Sequence, residues 1–443
     1  MPEEPSATVP TAKQAEEAVL DLQRWAEPEV WTRRMLTALV SGVKGGCWFS
    51  LIDKVYTTGN LESAFDKVKA NKGAPGVDKQ TIETYKRSVS QRLEKLRERL
   101  RKGEYRPKAV RRVQIPKPGS KETRPLGIPT VEDRIVQTGL RNVLEPIFDR
   151  GFAKHSYGFR PGRGCKDALR RVDQLLREGY THVVDADLKS YFDTIDHDKL
   201  MELVERKVTD SRVLKLLRAF LEQEVMEDLK IWTPERGSPQ GAVISPMLSN
   251  IYLDPLDHLM EDRGYEMVRY ADDFVVLCRS EQEAIRALEE IRQWTDEALL
   301  TLHPTKTRIV DVRTESFAFL GYDFRPKGKW PRRKSVLKLR DTVRGRTRRT
   351  DGRSLSAIID DLNPVIRGWF EYFKHSHRST FRELDSWVRM RLRSILRRRK
   401  GGRGRGRGVD HQRWPNRFFA AEGLFTMQTA HQQLVSALKR GTH

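Results

Sequence analysis

RYADDFVVLC, residues 269–278, sets two adjacent aspartates inside an apolar run. The β-branched and aromatic residues that follow them, Phe274-Val275-Val276-Leu277, are strand formers. A buried strand has little use for two neighbouring carboxylates, because an unpaired buried charge costs several kcal/mol. Neighbours in an extended strand point to opposite faces, so Asp272 and Asp273 can serve one point only where the chain turns. A hairpin with its tip at Ala271-Asp272-Asp273 would meet that need.

A second β-run crossed by aspartates, VVDADLKSYFDTID (183–196), lies upstream. Two strands that each bring a carboxylate to one point can hold a pair of divalent cations, roughly 3.5–4 Å apart, of the kind used in nucleotidyl transfer. The cations would offset the cost of burying the carboxylates. From these residues alone, a polar hairpin tip without metal remains an equal alternative.

The composition points to the partner. Lys and Arg number 83 against 61 Asp and Glu, a formal charge of +22, and the pI is near 9.9. An excess of that size suits a polyanion, with nucleic acid the first candidate. Cys47, Cys165 and Cys278 are odd in number and far apart, which argues against a disulfide framework or a Cys-based zinc site and fits a reducing cytoplasm. The opening MPEEPSATVPTAKQAEEAV has neither the basic nor the apolar region of a signal peptide. No apolar run reaches membrane-spanning length. The expectation is a soluble cytoplasmic protein without membrane partners.

Along the chain, residues 1–20 read as a polar tail, and Trp25, Trp31, Met35, Leu36 and Leu39 recur at helical spacing. Asn60 is the expected cap of a helix carrying Leu61, Ala64, Phe65 and Val68. From 107 to 325, β-like runs (VRRVQIP, THVVDADL, EMVRYADDFVVLC, TRIVDV, FAFLGYDF) mix with helical stretches such as VEDRIVQTGLRNVLEPIF. They lack the regular alternation of a doubly wound sheet, so the pattern is α+β. Residues 325–349 hold twelve Lys and Arg and one Asp, which reads as a basic linker. Asn363 with Pro364, and Thr380 with Glu383, are the expected starts of two helices in a small bundle over 350–400. GGRGRGRG (401–408) reads as flexible, followed by a compact appendage.

Taken together, YADD in an apolar strand, VDADLKSYFD before it and GSPQGAVISPMLSNIYLDPLD (237–257) between them resemble a reverse transcriptase palm. IPKPGSKETRPLGIPTVEDRIVQ (115–137), HSYGFRPGRGCKDAL (155–169), LTLHPTKT (300–307) and FAFLGYDF (317–324) occur in the same order. LNPVIRGWFEYF (362–373) is similar to the thumb segment of group II intron-encoded proteins. The resemblance, spanning about residues 25–430, implies a right-hand polymerase with an α-helical thumb/maturase domain. The implied segments are the N-terminal extension and start of the fingers (21–106), fingers and palm (107–325), basic linker (326–349), thumb/maturase domain (350–400) and a nucleic-acid-binding C-terminal segment (401–443).

The same resemblance implies roles, residue by residue. Asp187, Asp272 and Asp273, with the Leu188 carbonyl, match the ligands of two Mg²⁺ ions, for which Mn²⁺ can substitute; Asp185 is peripheral by motif register. Lys117 and Arg124 fall where the fingers meet the triphosphate. Phe192 sits at the position that excludes a 2′-hydroxyl, although local pattern fits an ordinary core residue nearly as well. Gln240 and Gly241 match the loop that packs on the incoming nucleotide. Lys306 matches the lysine that protonates departing pyrophosphate, with a solvated surface lysine as the alternative; His303 reads as structural. Arg160, Arg163, Arg367, Arg403, Arg405 and Arg407 are candidate nucleic-acid contacts. Residues 389–408 carry ten Lys and Arg and no acid, so they either track phosphates or serve only as a linker.

The implied partners are group II intron RNA, an RNA template with a DNA primer, and target DNA; a homodimer is left open. No Cys follows Cys278, so the resemblance is to the class without a C-terminal HNH endonuclease. The implied activity is RNA-directed DNA synthesis during retrohoming, with assistance to intron splicing. A maturase with little polymerase activity, or a domesticated enzyme of repair or defence, are the alternatives.

Overall fold

The runs that flank the aspartates do form strands. In the computed structural model, which describes residues 12–42, 46–116, 123–228, 230–406 and 408–440, the first eight strands are β1 (Val110–Pro116), β2 (Thr123–Ile128), β3 (His182–Asp187), β4 (Val225–Glu227), β5 (Lys230–Trp232), β6 (Glu266–Tyr270), β7 (Asp273–Cys278) and β8 (Arg308–Asp311). One sheet has the order β2-β1-β4-β5 and the other β6-β7-β3-β8. The pairings β1/β2, β3/β7 and β6/β7 are antiparallel, and β1/β4 is parallel. The architecture is α+β, as the pattern of runs implied.

The chain divides into two units, residues 1–116 with 122–309, and residues 117–121 with 310–443. The core of the first unit gathers apolar residues from the N-terminal helices through Leu300. Its central helix, Val131–Asp149, is capped by Thr130, whose Oγ1 accepts from the Asp133 amide. Ile135, Val136, Leu140, Val143 and Leu144 on that helix are fully buried.

Several local expectations are corrected. The expected tail over 1–20 is helical from Ala12 to Gln23, with Val19 and Leu22 buried; residues 1–11 lie outside the described residues. Trp25 and Trp31 fall between that helix and the next, Arg33–Ser41, since Pro28 interrupts the pattern. Thr57, not Asn60, caps the Thr58–Ala70 helix. Asn60 is buried inside it and donates to the carbonyls of Lys54, Val55 and Gly139.

The second unit holds β9 (Phe317–Phe319), β10 (Tyr322–Arg325) and β11 (Gly328–Pro331), in the order β11-β10-β9. The expected basic linker is instead this β10-β11 hairpin and a helix, Arg333–Arg346. Val336, Leu339 and Val343 recur at helical spacing among the basic residues, and the last two are buried. The expected helix start at Asn363-Pro364 lies inside one continuous helix, Leu355–Phe373, capped by Ser354. Asn363 instead bonds the Gly423 carbonyl and the Phe425 amide. Thr380 is likewise internal to the Ser379–Arg399 helix, so no capping box forms there.

The C-terminal segment shares a core with the helical domain: Trp414, Phe419, Leu424 and Met427 pack with Ile366, Phe370 and Leu392. The GRGRG tract is tethered rather than free. Gly402 donates to the Arg397 carbonyl, Gly406 to the Ser394 hydroxyl, and Arg397 reaches the Arg403 carbonyl.

Candidate active site

β6 and β7 are joined by a two-residue turn, Ala271-Asp272, with Tyr270 paired to Asp273 across its mouth. The expected three-residue tip is thus one residue shorter, and Asp273 already belongs to β7. Ala271 has φ of 61°, a conformation that costs a residue with a Cβ about 1 kcal/mol or more. The turn is held from beneath. Arg269, with no exposed surface, donates through Nη1 to the Ala271 carbonyl at 2.9 Å and through Nε to Asp257 at 2.7 and 3.0 Å. Burial pushes the Asp257 carboxyl up, and the Arg269 guanidinium opposes that shift. Phe274, Val275, Val276 and Leu277 are fully buried beside it, each contributing about 1.5–3 kcal/mol against the desolvation cost of the two ions.

β3 brings the upstream aspartates alongside. Asp187 is the register partner of Asp273, so the two share a sheet face. The Asp272 carboxyl is shifted upward, by burial first and then by the negative charge of Asp187, with Arg269 opposing. Asp187 and Asp272 therefore repel each other. Asp185 forms an ion pair with Arg308 at 3.7 Å, which supports its peripheral placement.

LTLHPTKT closes the other side of Asp187. The His303 amide donates to the Asp187 carbonyl at 2.7 Å, Thr307 Oγ1 accepts from the Asp187 amide at 3.4 Å, and Leu188 forms a bridge with Leu302. Lys306 Nζ lies 2.7 Å from Asp187 Oδ2, and both side chains remain substantially exposed. Among the described residues no group of three His, Cys, Asp or Glu side chains forms a ready metal cluster. Lys306 is thus the cation that engages Asp187 in this structure. The donor chemistry nonetheless fits a hard divalent cation: the charge of Asp187 raises the cost of ionising Asp272, and such an ion would offset that cost.

A cleft of about 350 Å³ adjoins, lined by Phe192, Asp193, Gly237, Gln240, Arg112 and Trp232 among others. The SPQG loop is fastened to the Phe192 turn: Ser238 donates to the Phe192 carbonyl and Gly237 to the Ile195 carbonyl, each at 2.7 Å. Gly241 has φ of 106°, and a Cβ there would meet the Gly127 carbonyl at 2.5 Å. Its close approach is thus to β2, which alone explains the glycine.

Arg124 is exposed on β2, opposite Ile115; Lys117 lies outside the described residues. Arg160 is corrected as a nucleic-acid contact. Its Nε, Nη1 and Nη2 all donate internally, to the Asp149 carboxylate and to the carbonyls of Asp149, Ala153 and Ser156, leaving nothing for a phosphate. Arg163 is half-buried and bonds the carbonyls of Lys154 and Ser156. Arg367 is exposed, with its guanidinium 4.5 Å from the centre of the Phe425 ring. Arg403 and Arg405 are exposed, and Arg407 lies outside the described residues. Sequence reading missed the Arg269–Asp257 pair; the signal was present as an arginine opening RYADD and a second aspartate closing YLDPLD.

Residues 115–324 match the family model for reverse transcriptase (RNA-dependent DNA polymerase), and residues 336–414 match the group II intron maturase-specific domain. The chain belongs to the group II intron-encoded reverse transcriptase/maturase family. It is 36% identical over 294 residues to Protein YkfC of Escherichia coli strain K12, covering 57% of this chain and 77% of that protein. It is 37% identical over 196 residues to group II intron-encoded protein LtrA of Lactococcus lactis, covering 44% of this chain and 32% of LtrA. An uncharacterized 91 kDa protein in the cob intron of Schizosaccharomyces pombe is 29% identical over 395 residues, 75% of this chain and 47% of that protein. This chain is a reverse transcriptase with a maturase domain. Among the described residues no helix is long and apolar enough to cross a membrane.

Proposed function

We propose that this enzyme copies a group II intron RNA into DNA from a DNA primer at a target site, and assists splicing of that intron. The observation that carries the polymerase half is the pairing of Asp187 with Asp273 and the electrostatic coupling of Asp187 to Asp272 at one strained turn. Mg²⁺ held by Asp187 and Asp272, with Asp273 and the Leu188 carbonyl nearby, would supply Lewis-acid activation of the primer hydroxyl and neutralise triphosphate charge.

The side chains do the rest. Phe192 and Gln240 line the cleft that takes the incoming nucleotide, Phe192 excluding a 2′-hydroxyl by contact. Arg124 and Lys117 would donate to the triphosphate. Lys306, held at Asp187, keeps a proton on Nζ for the departing pyrophosphate. The charge of +22 supports binding to intron RNA and target DNA, and the cysteine usage supports a bacterial cytoplasmic setting.

Asp272→Ala tests this reading. Primer extension on an RNA template in Mg²⁺ should fall by orders of magnitude while RNA affinity stays near wild type. Splicing of the cognate intron at low Mg²⁺ should persist, since binding of structured RNA rests on shape and phosphate contacts. Undiminished synthesis by the variant would overturn the site assignment, and a parallel loss of splicing in a folded variant would overturn the separation of the two roles.

A further inference from the structure

The Ala271-Asp272 turn is gripped from two sides, and one buried side chain joins the grips. From beneath, Arg269 Nη1 donates to the Ala271 carbonyl. From the side, the backbone of Gly158 presses on the turn so closely that a Cβ at Gly158 would lie 2.1 Å from the Ala271 nitrogen and 2.8 Å from the Tyr270 carbonyl carbon. Asn250, 1% exposed on the Ser245–Asp262 helix, touches both. Its Nδ2 donates to the Gly158 carbonyl at 2.8 Å, and its Oδ1 accepts from Arg269 Nη1 at 2.9 Å. The 155–157 segment is itself bonded to β6, with the Arg269 amide donating to the His155 carbonyl and the Tyr157 amide to the Arg269 carbonyl.

We propose that Asn250 is a positioning residue for catalysis, locking the Gly158 backbone and the Arg269 guanidinium against the turn that carries Asp272. The proposal rests on the polymerase reading above. Ala271 sits at positive φ without being glycine, so the turn holds its shape only while its surroundings over-determine it. A catalytic carboxylate displaced by about 1 Å can lose about 10²-fold in rate. Replacing Asn250 with Ala removes both bonds and touches no side chain that contacts substrate. The loss should therefore appear in the chemical step and not in nucleotide or primer binding.

The test is single-turnover nucleotide addition on an RNA template with a saturating DNA primer, with burst amplitude measuring the active fraction. Asn250→Ala should lower the rate constant per active site roughly 10- to 100-fold, with the apparent Kd for dNTP and for primer–template within about twofold of wild type. A merely structural asparagine would lower the melting temperature or the burst amplitude and leave the rate constant per active site alone; that result overturns the proposal. If Asn250→Ala does not fold, Gly158→Ala replaces it, since it pushes on Ala271 without removing a core hydrogen bond. It should give the same selective fall in rate, and an unchanged rate constant would overturn the proposal equally. A wild-type enzyme that adds no nucleotide would sink the polymerase reading itself, whereas an active wild type with equally active variants sinks only this one.

Discussion

Two ion pairs flank the same aspartate cluster, and they differ in every physical respect. Arg269–Asp257 has almost no exposed surface, and its guanidinium makes further bonds to neutral oxygens. Lys306–Asp187 keeps 59% and 41% of its side-chain surface exposed and joins a flexible amine to a carboxylate proposed to hold the metal. The buried pair is a permanent part of the scaffold, since separating it would leave a charge without water. The exposed pair is exchangeable, since either partner can find solvent, an ion or a phosphate instead. Support and chemistry are thus divided between two pairs.

The sharpest way to break that contrast is to remove one member of the buried pair. Asp257→Asn strands the Arg269 charge and should cost about 3–5 kcal/mol, seen as a fall in melting temperature of roughly 10 °C; a loss under about 1 kcal/mol would show that the pair is not a scaffold element. Lys306→Ala should do the reverse. Stability should change by less than about 0.5 kcal/mol, while extension slows by about 10²-fold if Nζ serves as a proton donor. An unchanged rate would reduce Lys306 to a counter-ion.

The contrast extends to the arginines. Arg160 is consumed internally, whereas Arg403 and Arg405 are exposed on the tethered glycine tract. Changing Arg403, Arg405 and Arg407 to Ser should flatten the slope of log K against log salt by about 0.7–0.9 for each lost phosphate contact, leaving incorporation on a saturated primer–template nearly untouched. An identical slope for RNA and target DNA would make the tract a linker.

The smallest effect belongs to His258, which pairs with Asp254 at 3.5 Å and bonds the Gly151 carbonyl at 2.9 Å. Chiefly through Asp254, its pKa is raised to about 9. Its contribution to stability is therefore complete below about pH 6.5 and is lost as pH rises through 9. Because the ring is half-exposed, His258→Gln should lower the melting temperature at pH 6 by only roughly 1 °C, and the difference should vanish by pH 10. A gap that persists at pH 10 would point to packing instead of charge.

Much of the site was legible beforehand because its signals are local. Strand-forming residues around Asp272 and Asp273, and the ordered motifs between 115 and 324, required no knowledge of packing. Local caps were less legible: Asn60, Asn363 and Thr380 each have capping chemistry, but tertiary partners or a longer helix claimed them. The basic stretch 325–349 hid a helix because its three apolar positions were outnumbered by charges on the solvent face.

What the sequence determined by itself was the chemistry: a basic chain, acidic strands, a hairpin turn at the paired aspartates, and the family these imply. What only the tertiary structure decided was allocation. It set which arginines face inward, that Asp187 stands opposite Asp273 while Lys306 holds it, and that Asp257, fifteen residues before Asp272, supports the turn through Arg269. Side-chain periodicity and residue type depend on the chain alone, whereas the environment of a charge depends on what the fold brings within a few ångströms of it. That environment separates a scaffold ion from a working one.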